Sequence, residues 1–206
     1  VKSGNLEVTL INGTYFFTGL FETESGQWVN CYFKGVITFE IGEDDPEASG
    51  YVAVLTKSPV VTYDNSGSPT VHPSVLKYTF SISDPAGNNV ASFEAINAED
   101  MPAATLAGNY TVQGNASEPW LMANGWVFSD WGVAGGSYFT DTKGAKQYVA
   151  GGQISITVVE GITGEMLYSF SGQELTTADA KGLPGTGSVN IKYAVLEDGA
   201  GLVLNE

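Results

Sequence analysis

The 206 residues are 43% hydrophobic and 12% aromatic but only 15% charged. That composition fits a packed domain and excludes an extended disordered chain. Acidic residues outnumber basic ones 23 to 8, for a formal net charge of −15. A surface of that sign repels phosphate backbones and anionic lipid heads, so no nucleic acid is expected as a partner. No apolar run approaches the roughly 20 residues of a transmembrane helix.

The length accommodates one large β domain, residues 1–206, or two packed subdomains, 1–100 and 101–206. Glycine is abundant, at 26 residues, and Val, Ile, Thr and Tyr recur, a mixture suited to short strands joined by tight turns. The chain starts at Val1 rather than Met, which leads to the expectation of a removed leader or a lipid anchor upstream.

Leu6-Glu7-Val8-Thr9-Leu10 alternates strictly and predicts a half-buried strand. Asn12-Gly13 turns the chain into Thr14–Phe21, and Ser25-Gly26 makes the next turn. Trp28–Lys34 and Val36–Ile41 read as strands bent at Gly35. The single cysteine, Cys31, alternates with Val29 and Phe33 and reads as a small core residue. A lone cysteine forms no intrachain disulfide. Glu43-Asp44-Asp45-Pro46-Glu47 reads as a solvated hairpin tip, without the alternating ligands and central glycine of a calcium loop.

Tyr51–Leu55 predicts another strand. Ser58–Pro73, with Pro59, Pro69 and Pro73, predicts an irregular loop holding His72, the only histidine. Lys77–Ser83 and Val90–Ile96 form a hairpin about Asp84–Asn89, with Tyr78, Phe80 and Ile82 inward. Asn97–Asp100 predicts a helical turn capped by Asn97 and stopped by Pro102.

From Leu106 the pattern is denser. Gly108–Val112 is a strand, and three of the four tryptophans, Trp120, Trp126 and Trp131, follow within a dozen residues. Gly135–Phe139 comes next, and Gln153–Val158 is the cleanest strand of the chain. Met166–Ser171 pairs with it through Gly161–Gly164. Leu175–Lys181 predicts the one short helix. Val189–Val195 alternates with Val189, Ile191, Tyr193 and Val195 inward, and Leu202–Leu204 would add an edge strand.

Strands at about 8–12-residue spacing predict an all-β fold, an antiparallel β-sandwich or barrel. Leu10–Tyr15 echoes Leu106–Tyr110, and Gly35–Thr38 echoes Gly152–Ser155, which raises two related halves as an alternative organisation.

Gly108–Val112 (GxYTV), Gly136–Phe139 (GSYF), Gly151–Val158 (GGxIxITV) and Tyr168–Gly172 (YSFSG) together resemble β-rich modules of exported proteins and lipoproteins in gut Bacteroidetes. The resemblance covers roughly the second half of the chain. It implies a place outside the cell or in the envelope of a Gram-negative bacterium, and a role in glycan capture or surface adhesion. It carries no catalytic residues.

The chemistry agrees with a binding role. There is no nucleophile elbow, phosphate-cradling loop or zinc-like Cys/His spacing, so no catalytic residue, metal or cofactor is assigned. A carboxylate pair of the glycosidase type stays open, since it can come from anywhere in a chain. Trp120, Trp126, Trp131 and Tyr138 are the candidate ligand-binding residues, because flat rings suit the apolar faces of sugars. The competing reading packs these rings in the core. Alternation over Trp126–Trp131 places Trp126 and Phe128 on one face and Trp131 on the other. Three functions remain: a glycan-binding protein, a module docking another surface protein, and a barrel enclosing a small apolar ligand.

Overall fold

In the computed structural model, residues 2–11, 14–35 and 47–198 are described. The chain divides into two compact units, Val1–Asp44 and Asp45–Glu206. Among the described residues both are built from strands, with helical structure confined to two short 3-10 turns, so the fold is all-β. No described helix is long and apolar enough to cross a membrane. The strands expected at Val36–Ile41 and Leu202–Leu204, the Asn12-Gly13 turn and most of the acidic stretch at 43–47 lie outside the described residues.

The first unit is an antiparallel meander of β1 (Ser3–Ile11), β2 (Thr14–Glu22) and β3 (Trp28–Gly35). Val8 faces Phe17, which faces Phe33, and Gly19 faces Cys31. Cross-strand partners share a face, so Leu6, Val8, Phe17, Phe21, Val29, Cys31 and Phe33 form one apolar face. The other face is mixed: Asn5, Glu7, Thr18 and Lys34 share it with Phe16, Leu20, Trp28 and Tyr32. Cys31, expected in a core, is exposed. Alternation assigned its face correctly, but a face becomes a core only where a second layer covers it.

The second unit begins with β4 (Val52–Tyr63), β5 (Pro69–Ser83) and β6 (Asn89–Ala98). Next come β7 (Gly108–Gln113), β8 (Leu121–Ala123) and the small hairpin of β9 (Trp126–Phe128) and β10 (Val133–Gly135). The chain closes with β11 (Tyr138–Thr140), β12 (Lys146–Glu160), β13 (Met166–Ala178) and β14 (Pro184–Asp198). The main sheet runs β11-β12-β13-β14-β4-β5-β6-β8-β7, and further pairings of β12 with β7 and of β11 with β6 close it on itself. The result is barrel-like. Most pairs are antiparallel, but β14 runs parallel to β4 and β7 parallel to β8, so the sheet is mixed.

Its interior is filled with rings. Phe170 packs on Phe80 and Phe93 at 5.2 and 5.4 Å between centroids, and Tyr168 lies 5.9 Å from Phe80. Tyr78, Phe80 and Ile82 are fully buried, as alternation required. Each such side chain contributes roughly 1.5–3 kcal/mol of transfer free energy. The buried hydroxyls have partners: Tyr78 donates to the Ala98 carbonyl and accepts from the Met101 N–H, and Tyr110 donates to the Leu106 carbonyl. Burial raises the pKa of both phenols.

Four local expectations are corrected. Ser58–Pro73 is mostly strand, because its prolines sit where no ladder N–H is needed: Pro69 opens β5, while Pro59 and Pro73 flank the register shift between Pro59 and Val60. Asn97 is not a helix cap; it is buried at the end of β6, donating to the Tyr110 hydroxyl. The first 3-10 turn comes later, at Ala103–Leu106. Leu175–Lys181 is not helical: β13 continues to Ala178, and Asp179–Leu183 is a hairpin turn. Tyr193 has φ of +56°, and the bulge there puts Ala194 inward instead of Tyr193 and Val195.

Four hairpin turns of the second unit share one construction. In Asp84–Asn88, the Asp84 carboxylate accepts the N–H groups of Ala86 and Asn88 at 3.0 and 2.8 Å, and Gly87 takes the left-handed conformation. Asp64, Asp141 and Asp179 anchor their turns in the same way. Four of the chain's 23 acids are therefore turn anchors.

Candidate functional site

The β9–β10 hairpin stands on the second unit with its base fixed. Gly136 has φ of +77°, and a Cβ there would lie 2.2 Å from the Asn124 carbonyl, so only glycine admits this approach. The buried Ser137 hydroxyl donates to the Ala123 carbonyl at 2.6 Å and accepts the Glu94 N–H at 3.0 Å. The Gly125 N–H donates to the Val149 carbonyl at 2.7 Å. Strands β6 and β12 thus hold both ends of the hairpin.

On this support the rings form a strip. Trp126 lies over Gly135, whose missing side chain makes room for the indole. Phe128 is 5.4 Å from Trp126, and Trp131 is 5.7 Å from Phe128, with interplanar angles of 45° and 39°. All three rings are exposed, Trp131 to 78%. Strict alternation would have sent Trp131 to the opposite face. The 3-10 turn Ser129–Trp131, closed by Gly132 in the left-handed conformation, swings it back beside Phe128. The result is a continuous, twisted strip of three rings.

Trp126 and Phe128 also wall a groove of about 530 Å³. Its floor is apolar, from Val60, Ile96 and Ala116, and the exposed Tyr63 lies on its rim. Polar groups sit within it: Lys77 and Glu94 pair at 3.2 Å, and Asn115 and Asn124 contribute amides. An apolar floor, a ring wall and a few fixed donors and acceptors are the ingredients of an oriented ligand site.

The other two nominated residues lie apart from this strip. Trp120, with φ of +67°, covers Gly108 and packs 5.5 Å from Tyr110. It is 44% exposed, as open as Trp126 at 43%, while its backbone bridges Ile96 and Thr111 and so fastens β8 between β6 and β7. Tyr138 donates its hydroxyl to Asn89 at 2.9 Å, and Lys146 sits 4.1 Å from its ring centroid. That face is already taken by a cation. Sequence reasoning missed Phe128 as the middle ring and Tyr63, Lys77, Glu94 and Asn115 as groove residues. Only Phe128, inside Trp126–Trp131, carried a local signal; the others come from three different strands and a loop.

His72 does not line the groove, but its Nε2 is 2.8 Å from the hydroxyl of Thr62, which does. Among the described residues, no group of three or more His, Cys, Asp or Glu side chains is arranged to hold a metal ion. No family model matches the chain, and neither a curated protein nor a solved structure matches it.

Proposed function

We propose that the protein is an exported or surface-anchored binding protein that captures carbohydrate on the strip of Trp126, Phe128 and Trp131. The observation that carries this is the strip itself: three exposed rings at successive spacings of 5.4 and 5.7 Å on a hairpin fixed at both ends. Rings held rigid before binding lose little conformational entropy on contact. At these contact spacings the rings present one continuous apolar surface to the faces of a sugar chain, and their progressive tilt favours a twisted chain over a flat surface. The groove beside them supplies the Lys77–Glu94 pair and two amides for hydroxyl groups. The export component rests on the resemblance to Bacteroidetes surface modules, with which the acidic, nucleic-acid-repelling surface agrees.

The test is a glycan array followed by titration of the best hit. Trp131→Ala removes an exposed ring without touching the core, so the fold stays intact by circular dichroism while affinity falls about 10-fold or more, some 1.4 kcal/mol. Trp120→Phe, in the fastening position, leaves affinity unchanged. Full binding by the Trp131 variant, or an array without a hit, would refute the proposal.

A further inference from the structure

The apolar face of the first unit has a counterpart in the second. Gly4-Asn5-Leu6-Glu7-Val8-Thr9 in β1 matches Gly152-Gln153-Ile154-Ser155-Ile156-Thr157 in β12. Tyr15-Phe16-Phe17-Thr18-Gly19 in β2 matches Tyr168-Ser169-Phe170-Ser171-Gly172 in β13. The hydrogen-bond register supports the match independently of residue type. Val8 faces Phe17 as Ile156 faces Phe170. Phe17 faces Phe33 as Phe170 faces Ile191, and Gly19 faces Cys31 as Gly172 faces Val189. Lys34 then falls on Lys192. This alignment differs from the echoes of Leu10–Tyr15 with Leu106–Tyr110. Those segments are not equivalent, since the first spans a hairpin and the second joins a 3-10 turn to β7.

The two meanders differ in what covers them. Ile154, Ile156, Tyr168, Phe170, Val189 and Ile191 are all buried, sealed by the layer of β4, β5 and β6. Their counterparts Leu6, Val8 and Phe33 are about half exposed, at 52%, 50% and 46%, and Cys31 is exposed where Val189 is buried. A contiguous apolar sheet face of this kind is a surface for another layer. The second unit shows which layer fits it. There β12 takes β7 along one edge, through Gly152–Ile156, and β14 takes β4 in parallel along the other.

We infer that β1–β3 is the closing half of another copy of the barrel of residues 52–198. Its apolar face is covered by an opening layer equivalent to β4–β8, supplied by polypeptide on the N-terminal side of Val1. In the second unit the opening layer precedes the closing meander in the chain, and a repeat built in that order sets its opening layer before β1. The opening layer that this chain carries, Val52–Ala123, is already closed by its own β12–β14, which argues against a second copy as the donor. The upstream layer would set a Gly-x-Tyr-Thr-Val-like strand beside Gly4–Val8 and rings like Phe80 and Phe93 on Phe17.

Cys31 reports on this directly, because it is the only thiol in the chain. The 206-residue chain is compared with the natural polypeptide extended upstream by the length of residues 45–148, using the disulfide reagent DTNB under native conditions. Cys31 reacts rapidly in the 206-residue chain and roughly 100-fold more slowly in the extended one, the order expected when a thiol reacts only through opening. A Val189→Cys, Cys31→Ser double variant of the 206-residue chain calibrates the protected limit. Equal reactivity of Cys31 in the two polypeptides would overturn the inference. So would protection in the 206-residue chain that grows with protein concentration alongside dimer formation in sedimentation, since a second copy would then be the occupant.

Discussion

The β1–β3 and β12–β14 meanders carry one pattern in two environments. Both place a glycine two residues before an apolar pair in the first strand (Leu6 and Val8, Ile154 and Ile156), a Tyr-x-Phe-Ser/Thr-Gly run in the second, and in the third a lysine directly after the residue that faces that phenylalanine. In β12–β14 that pattern is interior: Phe170 is wedged between Phe80 and Phe93. In β1–β3 the corresponding Phe17 packs on Tyr15 and Phe33 of its own sheet. The strand code is therefore sufficient to form the sheet and to gather a run of apolar residues on one face. It does not create a core, because a core requires a second sheet.

The largest effect that tests this contrast is a ring deletion at equivalent sites. Phe170→Ala opens a cavity among fixed neighbours and costs about 3–5 kcal/mol, read from denaturant unfolding of the second unit. Phe17→Ala in the same chain costs about 1 kcal/mol, the transfer value of a half-buried ring. Equal losses would mean that the first meander already has a full core. A smaller pair of effects comes from the matched glycines. A Cβ on Gly172 would meet the Gln153 carbonyl and Leu175 at 3.0 Å, backbone and buried side chain that cannot retreat. Gly172→Ala therefore costs about 1–3 kcal/mol. On Gly19 the first obstacle is the edge of the Phe21 ring, a side chain with room to turn, and Gly19→Ala is expected to cost less than about 1 kcal/mol. Thermal melts of the two variants, each referred to its own unit, decide between them.

Most of the fold was legible because the alternation of Lys77–Ser83, Gln153–Val158 and Met166–Ser171 has period two, and turn residues punctuate it. Three misreadings have physical causes. Proline was read as a strand breaker at Ser58–Pro73, although strands tolerate it at ends and bulges, where these three stand. Leu175–Lys181 lacks apolar alternation because its next inward residue after Leu175 is the buried Thr177 and the strand ends at Ala178, while the bulge at Glu174, with φ of +51°, cuts it off from the pattern before it. Cys31 was placed in a core because local pattern says which side is apolar and nothing about what lies against it. The candidate site was half legible. Trp126 and Trp131 were found because tryptophans are rare and were clustered. Their alliance through Phe128 depends on a single 3-10 turn, and the groove combines Val60, Glu94 and Asn115, which are adjacent only once the barrel closes.

The smallest expected difference between the units is in acid. Hydrogen bonds from the Ser66 and Asn88 side chains, together with backbone N–H groups, hold the pKa of Asp64 and Asp84 below the ordinary carboxylate value. The N–H groups of Ala145 and Lys143 do the same for Asp141. A carboxylate with a folded-state pKa below its unfolded one stabilises the fold above the unfolded value, near pH 4, and that contribution disappears as pH falls through the folded value. The β2–β3 turn has the same shape but a different anchor: the Thr23 hydroxyl accepts the Gln27 N–H at 3.1 Å, with Gly26 left-handed. Threonine does not titrate. Below about pH 4, then, the second unit loses stability from its turns while the β2–β3 turn keeps its anchor. Asp84→Asn retains an acceptor oxygen but removes the titration, so the variant is slightly less stable than the parent at pH 7 and the gap closes as pH falls toward 3. Denaturant midpoints at pH 7, 5, 4 and 3 measure that gap, and a gap that stays constant with pH would show that the Asp84 carboxylate has no charge-dependent role in its turn.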